Sequence, residues 1–294
     1  MSAPVFVVGY TATDAGHDAA RLAFRLARAA EGRVELVMVL PEEGRGAVVP
    51  PDAGYDAFVR EQAAQWLAEA SARISAGIEH GTHLRYAESF AQGLVDAATD
   101  LHADYIVVGA ARGTRGGRFG LGAVANELLH SSTVPVVLAP AGAAEVDAAV
   151  SRITAAVGTK PGADALLDEA VALAAATGAP LRLVSLVAVD MPSGVDTGVI
   201  RLAGTAHADR VLQQARAELP EGVDATASVA AGESIEEAVA NLDWEPGEIV
   251  MVGSSRLAQP RRLFLGSTAA KMLRELPVPM IVVPRTRTPE GAHR

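Results

Sequence analysis

Cysteine is absent from all 294 positions, which removes disulfides, thiolate catalysis and cysteine-ligated metal in one step and fits a reducing compartment. Positive charge is scarce: 25 Lys and Arg against 35 Asp and Glu leave a formal net charge of -10. Nucleic acid and anionic membrane would be repelled over most of such a surface, so neither is expected as a partner. No apolar run approaches the length of about eighteen residues that a membrane span needs. The chain also enters its first strand at Val5 without a basic leader, so a signal peptide is not expected and the cytoplasm is the expected location. The motifs of common enzyme chemistry are missing too: there is no G-x-S-x-G elbow, no Lys-bearing P-loop and no G-x-G-x-x-G after the first strand. His80 and His83 flank a glycine turn with no acidic or cysteine partner at a recognised spacing, which does not make a metal site. Neither catalysis nor a bound metal is expected.

What is present is a repeat. Half the residues are hydrophobic, enough at this length for two domains with a core each. Residues 106–140 and 249–284 read alike. Gly109/Gly253, Arg112/Arg256, Arg118/Arg262, Gly122/Gly266, Pro135/Pro279 and Pro140/Pro284 are all 144 positions apart, the mark of a gapless duplication. In each copy an apolar strand ends in a glycine, a basic loop follows, and a helix starts directly after a second glycine. Unpaired N–H groups and the positive end of the helix dipole make such a start an anion site, with phosphate the obvious occupant.

The rest of the chain alternates strands and helices. A strand at Val5–Gly9 leads to a helix with Ala19, Leu22, Leu26 and Ala29 on one face, stopped by Gly32. Residues 34–40 read as a second buried strand, 41–55 as a loop, and 57–76 as a helix with Val59, Ala63, Trp66, Leu67, Ala70 and Ile74 in its buried stripe. Trp66 is therefore placed in the core. Strand 82–88, helix 92–101 and strand Tyr105–Gly109 follow. Residues 141–149 read as a linker. The second half repeats the order: strand 152–158, helix 163–176 ended by Gly178, strand 181–189, loop 191–198, helix 203–219, strand 223–230, helix 235–242 and strand 248–253. The domains are set at 1–143 and 150–286, with 287–294 a disordered tail. Continuous apolar strands joined by helices imply a doubly wound, mostly parallel α/β sheet.

At these residues the chain resembles the universal stress protein family, over nearly its whole length and as two tandem domains. That family's signature is glycine, two residues, glycine, nine residues, glycine and Ser or Thr. Gly253, Arg256, Gly266 and Ser267 keep the spacing in the second half; Gly109, Arg112, Gly122 and Ala123 keep it in the first. Arginine stands for the inner glycine twice, and Ala123 lacks the hydroxyl. The family's ATP-binding members carry an aspartate just after the first strand, a position that falls at or near Thr11 and Thr159 here, with Asp14 three residues beyond Thr11.

The resemblance implies two five-stranded domains of the adenine nucleotide α-hydrolase type, whose last strands at 135–140 and 279–284 pair inside the chain as a pseudo-dimer, hiding two sheet edges. It implies a stress-response regulator without turnover, which takes ATP or another adenine nucleotide, alone or with Mg²⁺, and works through protein partners or a homo-oligomer. The site residues carried over are Gly253, Arg256, Gly266, Ser267, Thr268 and Thr159 in the second half, and Gly109, Arg112 and Gly122 in the first. Ser267 is expected to cap its helix, contributing about 1 kcal/mol, and to share its hydroxyl with phosphate. Ala123 can do neither, which makes the second half the leading site. Arg256, Arg261 and Arg262 have two readings, as bidentate phosphate donors or as a solvated loop. The missing aspartates leave a competing function open, a nucleotide-free interaction module. An ATP pyrophosphatase of related architecture ranks third, since Thr11-Ala12-Thr13 is not the Ser-Gly-Gly loop it would need.

Overall fold

A computed structural model describes residues 3–42, 53–74, 77–110, 120–158, 163–188, 198–254 and 263–285. The first half runs β1 (Val5–Gly9), α1 (Asp14–Ala29), β2 (Arg33–Pro41), α2 (Ala53–Ala72), β3 (His80–Ala87), α3 (Phe90–Asp100), β4 (Tyr105–Gly109), α4 (Ala123–Ser131) and β5 (Val136–Ala139). A 3-10 turn at Ala143–Glu145 leads into the second half: β6 (Ile153–Ala156), α5 (Ala163–Thr177), β7 (Leu181–Ala188), α6 (Gly198–Ala217), β8 (Ala225–Gly232), α7 (Ile235–Ala240), β9 (Ile249–Gly253), α8 (Ser267–Glu275) and β10 (Met280–Val283).

All ten strands form one sheet in the order β3-β2-β1-β4-β5-β10-β9-β6-β7-β8. Within each half the pairs are parallel. The halves join where β10 runs antiparallel to β5, with Ile281 opposite Val137. The pseudo-dimer is thus a continuous sheet. Helices α1, α2, α5 and α6 pack on one face, around Leu22, Leu36, Leu173 and Leu183. Helices α3, α4, α7 and α8 cover the other, around Leu94, Val108, Met272 and Val250. With both faces covered, strands such as VFVVG are buried at every position, which is why they are continuous apolar runs. No helix among the described residues is long and apolar enough to cross a membrane.

Local chemistry sets the element ends. Thr13, Ser89 and Ser234 cap α1, α3 and α7 by accepting from the N–H groups of Gly16, Gln92 and Glu237. The Ser89 cap starts α3 two residues before the apolar period suggests. Gly32 does not end α1 through a left-handed backbone, since Glu31 takes that conformation (φ 51). Gly32 is required because a Cβ there would lie 2.4 Å from the Pro4 carbonyl oxygen. Gly178 does adopt the left-handed region after α5 (φ 66). On α2, Ala63, Leu67 and Ala70 are buried, whereas Trp66 is 39% exposed and not core. The stripe is narrower than its period implies, and Trp66 sits on its flank.

Residues 141–149 are more than a tether. Asp18, buried on α1, accepts hydrogen bonds from the N–H groups of Gly142 (3.0 Å) and Ala144 (2.7 Å), so it anchors the turn. Across the same junction the Tyr105 hydroxyl donates to the buried Glu169 carboxylate of α5. His80 and His83 separate: His80 bonds the Ser71 hydroxyl (2.9 Å), and His83 bonds Glu35 of β2 (2.7 Å), an acidic partner that sequence spacing does not reveal. Among the described residues no group of three His, Cys, Asp or Glu is placed to hold a metal. The tail lies outside the described residues.

Candidate functional site

At the carboxyl edge of the second half's strands is a cavity of about 520 Å³, within the range of small-molecule sites. It lies where the chain order reverses, between β6 and β9, the switch point at which doubly wound sheets bind ligands. β9 ends in Gly253. The Ser254 N–H then donates to the Val283 carbonyl (2.8 Å), tying the exit of the strand to β10. The Ser254 hydroxyl accepts from the Phe264 N–H (2.8 Å) and donates to the Phe264 carbonyl (3.3 Å), so the two flanks of residues 255–262 are held together.

Helix α8 opens onto this cavity. Its N-cap is Gly266 in extended backbone (φ -70, ψ 162), with no side-chain cap. The expected cap is thus corrected by one residue: Ser267 is the first helical residue, exposed, and its hydroxyl closes no capping bond. The N–H groups of the first turn have no carbonyl one turn back to meet, and they face the cavity with a partial positive charge. Gly253, Gly266, Ser267 and Thr268 all line the cavity, so the structure brings four of the sequence-predicted residues together. Arg256, Thr159 and Arg112, with Arg118, Arg261 and Arg262, lie outside the described residues.

Sequence reasoning missed Ser254, Ser185, Lys271 and His207, which also line the cavity. Lys271 lies one turn after Ser267 on α8, a spacing readable from the helix period. Ser254 is invisible as a site residue because its partner is ten positions away, and Ser185 and His207 come from elements distant in sequence. No described lining residue is acidic; the ionisable ones are Lys271 and His207. The walls behind them, including Leu166, Leu186 and Ile235, are apolar. The lining thus combines hydroxyls and a lysine with apolar side chains.

The first half carries different residues at the matching positions. Strand register gives the correspondence: Phe6 pairs with Tyr105, and Ile153 pairs with Ile249, the 144-residue counterpart of Tyr105. Tyr10 therefore matches Val157, and each donates its N–H to the matching carbonyl, Val37 or Val184. Tyr10 is 2% exposed, and its hydroxyl bonds His17 Nε2 at 3.1 Å. Burial pushes its phenol above the ordinary tyrosine range, with the Arg73 charge pulling down and the Glu69 charge pushing up. Met38 stands for Ser185, Ala110 for Ser254, Ala123 for Ser267, Val124 for Thr268 and Glu127 for Lys271. A Cβ on Gly109 would lie 1.9 Å from the Ala15 carbonyl oxygen, so this glycine is needed for the packing of α1. Gly122 caps α4, with open space around it. The register also shifts one sequence alignment: Thr11 matches Gly158, not Thr159. Asp14 is exposed in the first turn of α1 and belongs to the half away from the cavity.

A second polar cluster marks the opposite edge of the sheet. Glu248, fully buried just before β9, accepts from Arg182 (2.6 Å), Arg152 (2.7 Å), the Glu245 N–H (3.0 Å) and the Thr154 hydroxyl. The Arg182 guanidinium lies 5.1 Å from the Trp244 ring centroid. Desolvation lowers the affinity of Arg182 for its proton, against the attraction of Glu248. Every Glu248 oxygen is satisfied, and the cluster binds β6, β7 and β9 together at the end remote from the cavity.

Comparison with known proteins agrees with this architecture. The universal stress protein family model matches residues 5–140 and 150–284. A universal stress protein of Mycobacterium tuberculosis strain H37Rv is 28% identical over 289 residues, 95% of this chain and 99% of the relative. The crystal structure of a universal stress protein from Archaeoglobus fulgidus superposes with a TM-score of 0.70 at 18% identity, covering 97% of this chain and all of that one, which is a likeness of fold. A universal stress protein structure from Pseudomonas aeruginosa gives 0.58 at 15% identity, over 96% and 92% of the two chains. With both halves matched in tandem, this chain belongs to the universal stress protein family.

Proposed function

We propose that the chain is a cytoplasmic stress-response regulator that binds an adenine nucleotide in its second half, with 1–143 and 150–286 as its two units. The observation that carries this reading is the cavity at the β6/β9 switch point, where Gly253, Gly266, Ser267 and Thr268 meet at the uncapped start of α8. Phosphate would sit against the first-turn N–H groups, within reach of the Ser267 and Thr268 hydroxyls and the charge on Lys271. The apolar wall of Leu166, Leu186 and Ile235 suits a base. The function is a ligand-dependent change of state, with no general base or nucleophile assigned. Mg²⁺ finds no carboxylate among the described lining residues, so it would be held by the phosphates.

The competing reading is a nucleotide-free interaction module. It is favoured by Gly158, which stands where the family's ATP binders carry an aspartate, so no carboxylate there grips a ribose. Mass spectrometry of gently purified protein separates the two. Retained adenine nucleotide near one per chain, lost in Ser267→Ala and Gly266→Asp, supports the first. No retained ligand and no thermal shift with millimolar ATP, with or without Mg²⁺, supports the second.

A further inference from the structure

The residues that lead into α8 do not rest on the second half alone. The Leu263 N–H donates to the carbonyl of Ser132 at 3.1 Å. One residue on, the Phe264 ring meets the His130 ring edge to face, with centroids 4.9 Å apart. His130 and Ser132 belong to the first half, at the carboxyl end of α4. Both are held firmly. Ser132 is fully buried; its N–H bonds the Leu128 carbonyl, and its hydroxyl accepts from the Val134 N–H (3.2 Å) and donates to the Val134 carbonyl (2.7 Å). The His130 ring is tied by Nδ1 to the Asn126 carbonyl at 2.6 Å.

On its other side Phe264 is held by Ser254, so the approach to α8 is gripped by one jaw from each half. Leu263 is buried between them. Gly266 follows two residues after Phe264, so the direction of the first-turn N–H groups depends on where this short segment is fixed. We propose that His130 and Ser132 of the first half are positioning residues for the ligand site of the second half. This rests on the nucleotide reading above for its functional consequence. Donors aimed at an anion lose effect steeply when displaced by a fraction of an ångström. The first half therefore contributes to binding by holding the other half's helix start in place.

The test uses the full chain with His130→Ala and His130→Phe, the second keeping an aromatic edge for Phe264. Phe264→Leu removes the same ring pair from the opposite side if His130→Ala does not fold. Hydrogen exchange on ligand-free protein reads the Leu263 and Phe264 amides, and the Ala270 amide that bonds Gly266 in the first turn of α8. Expected is a rise of at least about tenfold at these amides in His130→Ala, restored in His130→Phe, with β1 and α3 unchanged. Titration with AMP should show about tenfold weaker binding in the Ala variant and recovery in the Phe variant. Unchanged exchange at the three amides overturns the proposal. So does raised exchange with wild-type AMP affinity, which makes the contact packing alone. If wild-type protein binds no AMP, the nucleotide reading fails, and the exchange arm still decides whether the first half positions α8.

Discussion

The two halves of this chain have the same strand order, and the same motif 144 residues apart, yet their carboxyl edges carry opposite chemistry. In the second half Val157, Ser185, Ser254, Ser267 and Lys271 surround an open cavity. In the first half the matching positions hold Tyr10, Met38, Ala110, Ala123 and Glu127. A buried tyrosine stands for the valine, these positions carry no serine hydroxyls, and a carboxylate bonded to Ser89 stands where the second half has a lysine. The amino edges differ in the reverse sense. The first half uses Asp104 to accept from the Val5 N–H, whereas the second buries Glu248 among two arginines and a threonine. Duplication kept the mostly apolar buried strands and with them the backbone scaffold, while side chains near the strand ends diverged.

The largest effect expected from that contrast is at the amino edges. Glu248→Ala leaves the buried Arg182 without its carboxylate, while Arg152 keeps its ion pair with Glu245 (2.6 Å), and should cost about 3–5 kcal/mol. Asp104→Ala, at the matching position, removes among its contacts a charge-assisted bond to the Val5 N–H and should cost about 1.5–3 kcal/mol. Urea denaturation at constant m-value measures both. Equal losses would mean that the halves are held at this edge in the same way.

At the carboxyl edges the contrast can be inverted by exchange. Tyr10→Ala empties a site that is 2% exposed and should cost about 3 kcal/mol, near the lower end for removing a buried aromatic. Val157→Tyr places the first half's tyrosine in the second half's cavity. It should abolish adenine nucleotide binding in calorimetry while the chain still folds. Retained binding would show that the ligand does not occupy this cavity.

Smaller still is the pair of glycine substitutions. Gly266→Asp puts a carboxylate at the N-cap of α8, where aspartate is a favoured cap, so stability should stay level or rise by a few tenths of a kcal/mol. The same charge repels phosphate, and affinity should fall at least about tenfold, or roughly 1.4 kcal/mol. Gly122→Asp, its counterpart in open space, should leave binding unchanged. Lost binding in Gly122→Asp would move the site to the first half.

Much of this organisation is legible in the residues. The apolar strands, the duplication and the pairing of β5 with β10 all follow from pattern and family resemblance, the strands because a sheet covered on both faces favours apolar residues. The site is only half legible. Gly253, Gly266, Ser267 and Thr268 announce themselves by spacing, but the match of Tyr10 with Val157 requires the register of β1 against β2 and β4. One residue of uncertainty there exchanges Gly158 for Thr159. Ser267 reads as a cap because hydroxyls at helix starts usually are, and only backbone geometry shows that Gly266 takes that place. Trp66 reads as core because it neighbours Leu67, yet a stripe of small residues at Ala63 and Ala70 is too narrow to cover it.

The smallest effect concerns the Tyr10 phenol and separates the halves by pH alone. Burial raises its proton affinity in the folded chain, so the unfolded chain ionises first as pH rises. Between the unfolded and folded values the unfolded state has released its proton and the folded state has not. By linkage, stability is fully present below the ordinary tyrosine value of about 10 and declines as pH climbs through the folded value. Tyr10→Phe keeps the first half's buried ring and removes the ionisation. Urea midpoints measured from pH 8 to 11 should therefore fall less steeply in Tyr10→Phe than in the wild type. Parallel slopes would mean that the phenol ionises as easily in the folded chain as in the unfolded one. Tyr10 would then be open to water, and the contrast between a buried tyrosine in one half and a valine lining a cavity in the other would fail at its central residue.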